Sequence, residues 1–326
     1  MIPTPILRGL RLSLAGLAIA GLTTATGCGD DANSDAKDAR STVVVTTPIL
    51  GSLVEQLVGA DAEVQVLIPN GADPHDFSPS ARDIAALGNA TLIVSNGLDL
   101  EEGMVEAIEN AERDGVTVFH AADHVTVREI DEEDGHDEHA DEHADEHAEE
   151  GHEHHHEGGD PHIWTDPLTM REMVPSLTTA LERATGVQLD ATSTALTKEL
   201  TALDGEVRSI LADLPAGGCR LVTGHDSLGY FAERYGCEIV GTVIPGLSST
   251  AEESAKDLAR LKDAIAEAQV TTVFTEVGTP KKVAEQVATE TGARLVELPS
   301  HGLATGGDYR AFITELATRI HDGLSR

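Results

Sequence analysis

Apolar positions along this chain fall into two alternating patterns. Short, mostly β-branched runs occur at Val43-Val44-Val45-Thr46, 64–68, Leu92-Ile93-Val94-Ser95 and Val116-Thr117-Val118-Phe119. The segments between them, at 49–58, 81–88 and 102–111, read as amphipathic helices. Continuous apolar runs suit strands buried on both faces, and a period near 3.6 suits helices with one buried face. The alternation returns later, with strands at 221–223, 238–243, 272–275 and 294–298 and helices at 228–235, 251–268, 281–291 and 309–323. Between the two sets, Leu168, Met173, Val174, Leu177, Leu181 and Ala184 recur at helical spacing over 167–185, and a further helix follows at about 191–211. This pattern predicts an α/β fold of two small lobes with parallel sheets, 42–166 and 191–326, joined through a helix at 167–190. Ligands of such a pair are expected in the cleft, at the carboxyl ends of the strands.

The N-terminus has a different character. Arg8 and Arg11 precede an apolar stretch at 12–22 that is too short to span a bilayer, and small residues lead to Ala25-Thr26-Gly27-Cys28. That is the pattern of an export signal over 1–27. A cysteine at its end resembles a bacterial lipobox, although Ala25 stands where leucine is commonest. Lipid on Cys28 would tether the chain to the outer face of the cell membrane. Residues 28–41 are polar, rich in Asp and Ala, and read as a flexible tether. The formal charge of −35 argues against nucleic acid as a partner and suits a protein that attracts cations. Aromatic residues make up only 3%, so the core must rest on Val, Leu, Ile and Ala. Cys219 and Cys237 each precede an apolar run, and in an exported protein a disulfide between them is the expected form, with free thiols or a metal pair as alternatives.

Chemistry concentrates in one tract. Residues 129–160 hold eight histidines among sixteen acidic residues with no lysine or arginine. His136 is followed by a thrice-repeated Asp-Glu-His-Ala that spaces His139, His143 and His147 four apart, and then by His152, His154, His155 and His156. Imidazole and carboxylate together favour divalent transition metals, so the tract reads as an accessory metal loop. His152-Glu153-His154-His155-His156 matches a metalloprotease motif formally. That motif needs a helix with one face in a core, and this copy sits in a charged tract ending in glycines.

Three histidines outside the tract share a placement. His75 lies in Gly71-Ala72-Asp73-Pro74-His75 after the second strand, His162 in Asp160-Pro161-His162-Ile163-Trp164-Thr165-Asp166-Pro167, and His225 in His225-Asp226 with Tyr230-Phe231 after a later strand. Nearby carboxylates can accept the second imidazole proton, which orients a ligating ring and raises its basicity. A Ser-His-Asp triad in His225-Asp226-Ser227 is set aside, because sequence neighbours rarely face each other and no nucleophile elbow is present.

These segments, with Thr275-Glu276 and Lys282-Val283-Ala284, resemble the metal-binding solute receptors of ABC importers, the cluster A-I family of ZnuA- and TroA-like proteins. The resemblance runs from Val43 to the C-terminus. It implies two α/β lobes bridged by a long rigid helix, a metal ion in the cleft, and His75, His162 and His225 as ligands. It also implies a monomeric extracytoplasmic receptor rather than an enzyme, docking on a membrane permease driven by a separate cytoplasmic ATPase. Family members commonly place an aspartate ligand near the last strand. Here the stretch reads Val296-Glu297-Leu298-Pro299-Ser300-His301-Gly302, so Glu297 or His301 is the expected fourth ligand and Asp308 a weaker one. Three imidazoles suit tetrahedral Zn(II), whereas Mn(II), the other cargo of the family, prefers more carboxylate. The rival readings are a metal store whose function is the tract itself and a zinc hydrolase. Removal of residues 131–157 is expected to abolish several weak zinc sites and leave one tight site, counted by competitive titration; loss of the tight site instead would make the tract the working centre.

Overall fold

The computed structural model describes residues 40–130, 159–214, 218–303 and 307–325. Cys28 and the accessory-loop histidines from His136 to His156 lie outside the described residues. In the first half, β1 (Thr42–Val45), β2 (Glu63–Val66), β3 (Leu92–Ser95) and β4 (Thr117–His120) form one parallel sheet in the order β2-β1-β3-β4. β1 and β3 are central and buried along their whole described apolar length, as their unbroken β-branched and aliphatic runs require. Helices α1 (Pro48–Val58), α2 (Ala81–Gly88) and α3 (Val105–Arg113) connect the strands. In the second half, β5 (Arg220–Thr223) pairs in parallel with β6 (Glu238–Thr242), and β7 (Thr272–Thr275) with β8 (Arg294–Glu297).

Two predicted helices start later than periodicity indicates. The third opens as a 3-10 turn at Glu102–Met104 before α3 begins at Val105. Within this turn Gly103 passes so close to Phe77 that a Cβ would lie 2.4 Å from the Phe77 carbonyl oxygen. The helix expected from 251 is α7 (Ala255–Glu267); Ser254 caps it, in a reciprocal capping box with Asp257.

Between the halves run α4 (Pro167–Thr185) and α5 (Asp190–Leu211). Asp166 caps α4 at one end and Gly186, at φ 73°, stops it at the other. Its buried stripe of Met170, Met173, Val174, Leu177 and Leu181 joins Leu196, Leu200, Leu203 and Val207 of α5. The same cluster takes in Leu50, Leu53 and Val94 from the first half. From the second it takes Phe231 of α6 (Gly229–Tyr235), Phe274 of β7, and Phe312, Ile313 and Leu316 of α9 (Tyr309–Leu324). The halves therefore share one apolar core, in addition to smaller clusters under each outer layer. Each buried Leu, Ile, Phe or Met in it stabilises the packed arrangement by roughly 1.5–3 kcal/mol relative to exposure.

Cys219 and Cys237 are joined by a disulfide across 18 positions of sequence, tying the N-terminal ends of β5 and β6. A closure of that length contributes about 3 kcal/mol in the chain-entropy account. α8 (Lys281–Thr291) completes the second half. No helix among the described residues is long and apolar enough to cross a membrane.

Candidate metal centre

Four buried histidines meet where the carboxyl ends of the strands converge. His75 follows β2, His225 follows β5, His301 follows β8, and His162 precedes the short 3-10 turn Ile163–Thr165 that leads into α4. All four are at most 4% exposed, and one ring nitrogen from each lies within 4.8 Å of the others. His75 Nε2 is 3.4 Å from His162 Nε2, which is 3.1 Å from His225 Nε2. Nitrogens around a tetrahedral zinc at its usual bond length stand about 3.3 Å apart.

The opposite ring nitrogens decide the protonation state. His75 Nδ1 faces Glu102 Oε1 at 3.2 Å and His162 Nδ1 faces Asp160 Oδ1 at 2.8 Å. An ionised carboxylate only accepts, so each of these Nδ1 atoms carries the proton, and in the neutral ring Nε2 is left as a bare lone pair. His225 Nδ1 stands 3.0 Å from Glu276 Oε1, within ion-pair reach although not aligned as a hydrogen bond. His301 Nδ1 meets Ser300 Oγ at 2.9 Å, and its buried Nε2 has no hydrogen-bond partner among the described residues. The Nε2 lone pairs of His75 and His162, 3.4 Å apart in a buried pocket, repel one another unless a cation or a proton donor lies between them.

Burial sets the charge balance. It lowers the His75 pKa and, more strongly, that of His162, with His225 nearby adding to both shifts; burial also brings His301 down to about 3. Burial opposes charge on His225 too, but Glu276 outweighs it and raises that pKa. Glu276 would itself be raised by burial, yet the charge of His225 holds it down to about 2. Asp160 is pushed up to about 6 by burial, against the pull of the His162 amide and of Arg128, whose Nη1 is 3.2 Å from Oδ2.

Local structure aims each ring. The Asp73 carboxylate accepts the His75 amide at 3.1 Å, and Asp160 accepts the His162 amide at 2.9 Å. Glu276 accepts the His225 amide and the Ser227 hydroxyl. The His301 loop is pinned from two directions: Trp164 Nε1 donates to the Ser300 carbonyl at 2.9 Å, and Asn70 holds both the amide and the carbonyl of Leu303. Behind His162, the Asn96 amide donates to the Pro161 carbonyl at 2.8 Å, while buried Glu101 accepts from the Asn96 backbone and from Thr46 Oγ1.

Of the three residues considered for the fourth position, only His301 joins the cluster. Glu297 ends β8 with its side chain exposed, and its carbonyl accepts from Arg319. Asp308 is spent as the N-cap of α9, accepting from the Ala311 amide. The sequence predicts nearby carboxylates as partners; Asp160, two residues from His162, fits that expectation, whereas Glu102 and Glu276 are distant in sequence. The adjacent carboxylate Asp76 is exposed, and Asp226 does not replace Glu276.

Comparison with known proteins shows the family. The model of the family described as zinc-uptake complex component A, periplasmic, matches residues 43–323. The zinc-binding protein TroA of Treponema pallidum is 30% identical over 294 residues, covering 89% of this chain and 84% of its own length. Its solved structure superposes with a TM-score of 0.73 at 27% identity, covering 88% of this chain and all of that one. The high-affinity zinc uptake system protein ZnuA of Bacillus subtilis is 32% identical, covering 82% of this chain and 81% of its own. The manganese-binding lipoprotein MntA of Halalkalibacterium halodurans is 26% identical, covering 82% of each.

Glu101 makes one consequence of this buried polar scaffold measurable. Burial raises its pKa, so the folded state holds that proton more tightly than the unfolded chain does. Stability is therefore expected to fall as pH rises from about 4.3, the unfolded value, through the raised folded value, and then to level off with respect to this group. Glu101→Gln is expected to remove that fall, as read by urea denaturation over a pH series; an unchanged profile would contradict it.

Proposed function

This chain belongs to the family of the periplasmic zinc-uptake complex component A, and we propose on that premise that it captures Zn(II) outside the cytoplasm and delivers it to an ABC importer. The ion is cargo, held by His75, His162, His225 and His301. The observation that carries the reading is the convergence of Nε2 atoms whose opposite nitrogens are committed to Glu102 and Asp160. Such rings are ligands already in the required tautomer. Four neutral nitrogens match zinc better than manganese, which favours oxygen donors, while copper and nickel compete for the same donor type.

Family members are receptors rather than enzymes. As receptors of ABC importers they work with a membrane permease and a separate ATPase. A monomeric receptor is part of the proposal by resemblance to the family, and anchoring through lipid on Cys28 is supported by the sequence pattern Ala25-Thr26-Gly27-Cys28. The tract 129–160 is assigned the role of collecting loosely held ions beside His162.

Competition against a fluorescent zinc chelator tests the centre. His225→Ala is expected to weaken the tight site by about 100-fold or more, while His301→Asp is expected to weaken zinc and improve manganese relative to it. Manganese displacing zinc from the unaltered chain at equal concentration would overturn the zinc assignment. Cys28→Ser is expected to shift the protein from the membrane fraction to the soluble one, followed by immunoblotting; unchanged fractionation would remove the anchor.

A further inference from the structure

The four histidines and their orienting groups leave one cross-molecular feature unexplained. The segment 245–250, between β6 and α7 in the second half, turns hydroxyls onto two carboxylates of the first half. Ser248 Oγ donates to Glu102 Oε1 at 2.5 Å, the same oxygen that faces His75 Nδ1. Thr250 anchors this serine, its amide donating to Ser248 Oγ at 3.2 Å, and reaches Glu102 Oε2 at 3.5 Å. Ser249, only 8% exposed, donates to Asp73 Oδ2 at 2.6 Å, while Asp73 Oδ1 accepts the His75 amide.

The slot that receives Asp73 is made by a glycine. Gly278 stands at φ +89°, and a Cβ there would lie 2.1 Å from Asp73 Oδ2 and 2.8 Å from Ser249 Cβ. Any side chain would be strained in that backbone conformation and would also expel the carboxylate. Gly278 lies two residues beyond Glu276, the partner of His225. The groups that aim His75 are thus seated against the segment that aims His225.

We propose that Ser248 and Ser249 are positioning residues for His75, acting through Glu102 and Asp73, and that their grip sets how long the bound ion stays. This rests on the metal-receptor reading above. Glu102 is 39% exposed at its side chain, so water alone would leave it several orientations. A hydroxyl donated to the oxygen that faces His75 selects one of them, and with it the ring plane of His75. His75 belongs to the first half, and His225 and His301 to the second. For the ion to leave, His75 must part from those two, and the hydroxyl–carboxylate bonds break in the same step. Bonds present only in the assembled arrangement act mainly on dissociation and little on encounter.

The test is zinc transfer from the full-length chain to excess chelator, followed by stopped-flow. The slow phase of the unaltered chain should vanish in His225→Ala, which assigns it to the histidine centre; a slow phase that survives would defeat the receptor reading itself. Given that assignment, the double variant Ser248→Ala, Ser249→Ala should accelerate the slow phase by about tenfold, the scale of hydrogen bonds to a charged group. Its association rate should stay within about twofold of the original, and its metal-free melting temperature should not change. Ser248→Thr, which keeps the hydroxyl, should retain the slow phase. An unchanged dissociation rate in the double variant overturns the proposal. So does acceleration accompanied by loss of metal-free stability, which would make the serines structural only.

Discussion

The structure depends on a carboxylate placed behind an imidazole. Glu102 and Asp160 each claim the Nδ1 proton of a histidine and thereby turn the Nε2 lone pair inward. His225 backed by Glu276 and His301 with its unpartnered Nε2 complete the convergence. In water such an arrangement would dissolve into alternative tautomers and rotamers. Here the rings are buried, so the charged imidazolium is disfavoured at three of the four positions, and the pocket is left rich in electron pairs. A divalent cation resolves that excess, which makes metal affinity a property of the whole buried shell rather than of four side chains.

Such a shell needs a scaffold that does not drift. The apolar cluster running from β1 and α1 through α4 and α5 to α6, β7 and α9 is continuous across both halves, so large separation of the halves would expose it. Polar seams finish the alignment around the ligands. Asn70 grips the Leu303 backbone, Trp164 the Ser300 carbonyl, and Arg128 spans from Asp160 to Glu233 of α6. Each seam joins a segment bearing one histidine to a segment bearing another or supporting it. The core gives cohesion, and the seams give the sub-ångström placement that coordination requires.

Much of this was legible in the residues. Strands and helices were read correctly wherever periodicity alone decides, as at α4, α8 and β7, because each buries one regular face. Differences arise at two helix starts. The third helix opens as a 3-10 turn at Glu102–Met104, where Gly103 packs against the Phe77 carbonyl, and a local signal, the Ser254–Asp257 capping box, starts α7 later than its apolar residues suggest. Glu297 and His301 were equivalent as text, since both are ligand types beside a strand. Only the chain path, leaving Glu297 exposed at the end of β8 and turning His301 inward past Pro299, separates them.

By itself the sequence determined the α/β class, two histidines that follow strands and one at the start of the connecting helix, and a composition tuned to cations. These follow from local rules: side-chain period, turn residues, and the ligand chemistry of imidazole. Tertiary structure alone decided the fourth histidine and the partners of His75 and His225. Glu102 lies 27 residues from its histidine and Glu276 lies 51 from His225, distances over which no local rule operates. Asp160, two residues from His162, was readable for the opposite reason. A contact is legible in sequence when the backbone between its ends is short enough to dictate it, and the remainder of this centre exists only once the parallel strands of both halves bring their carboxyl ends together.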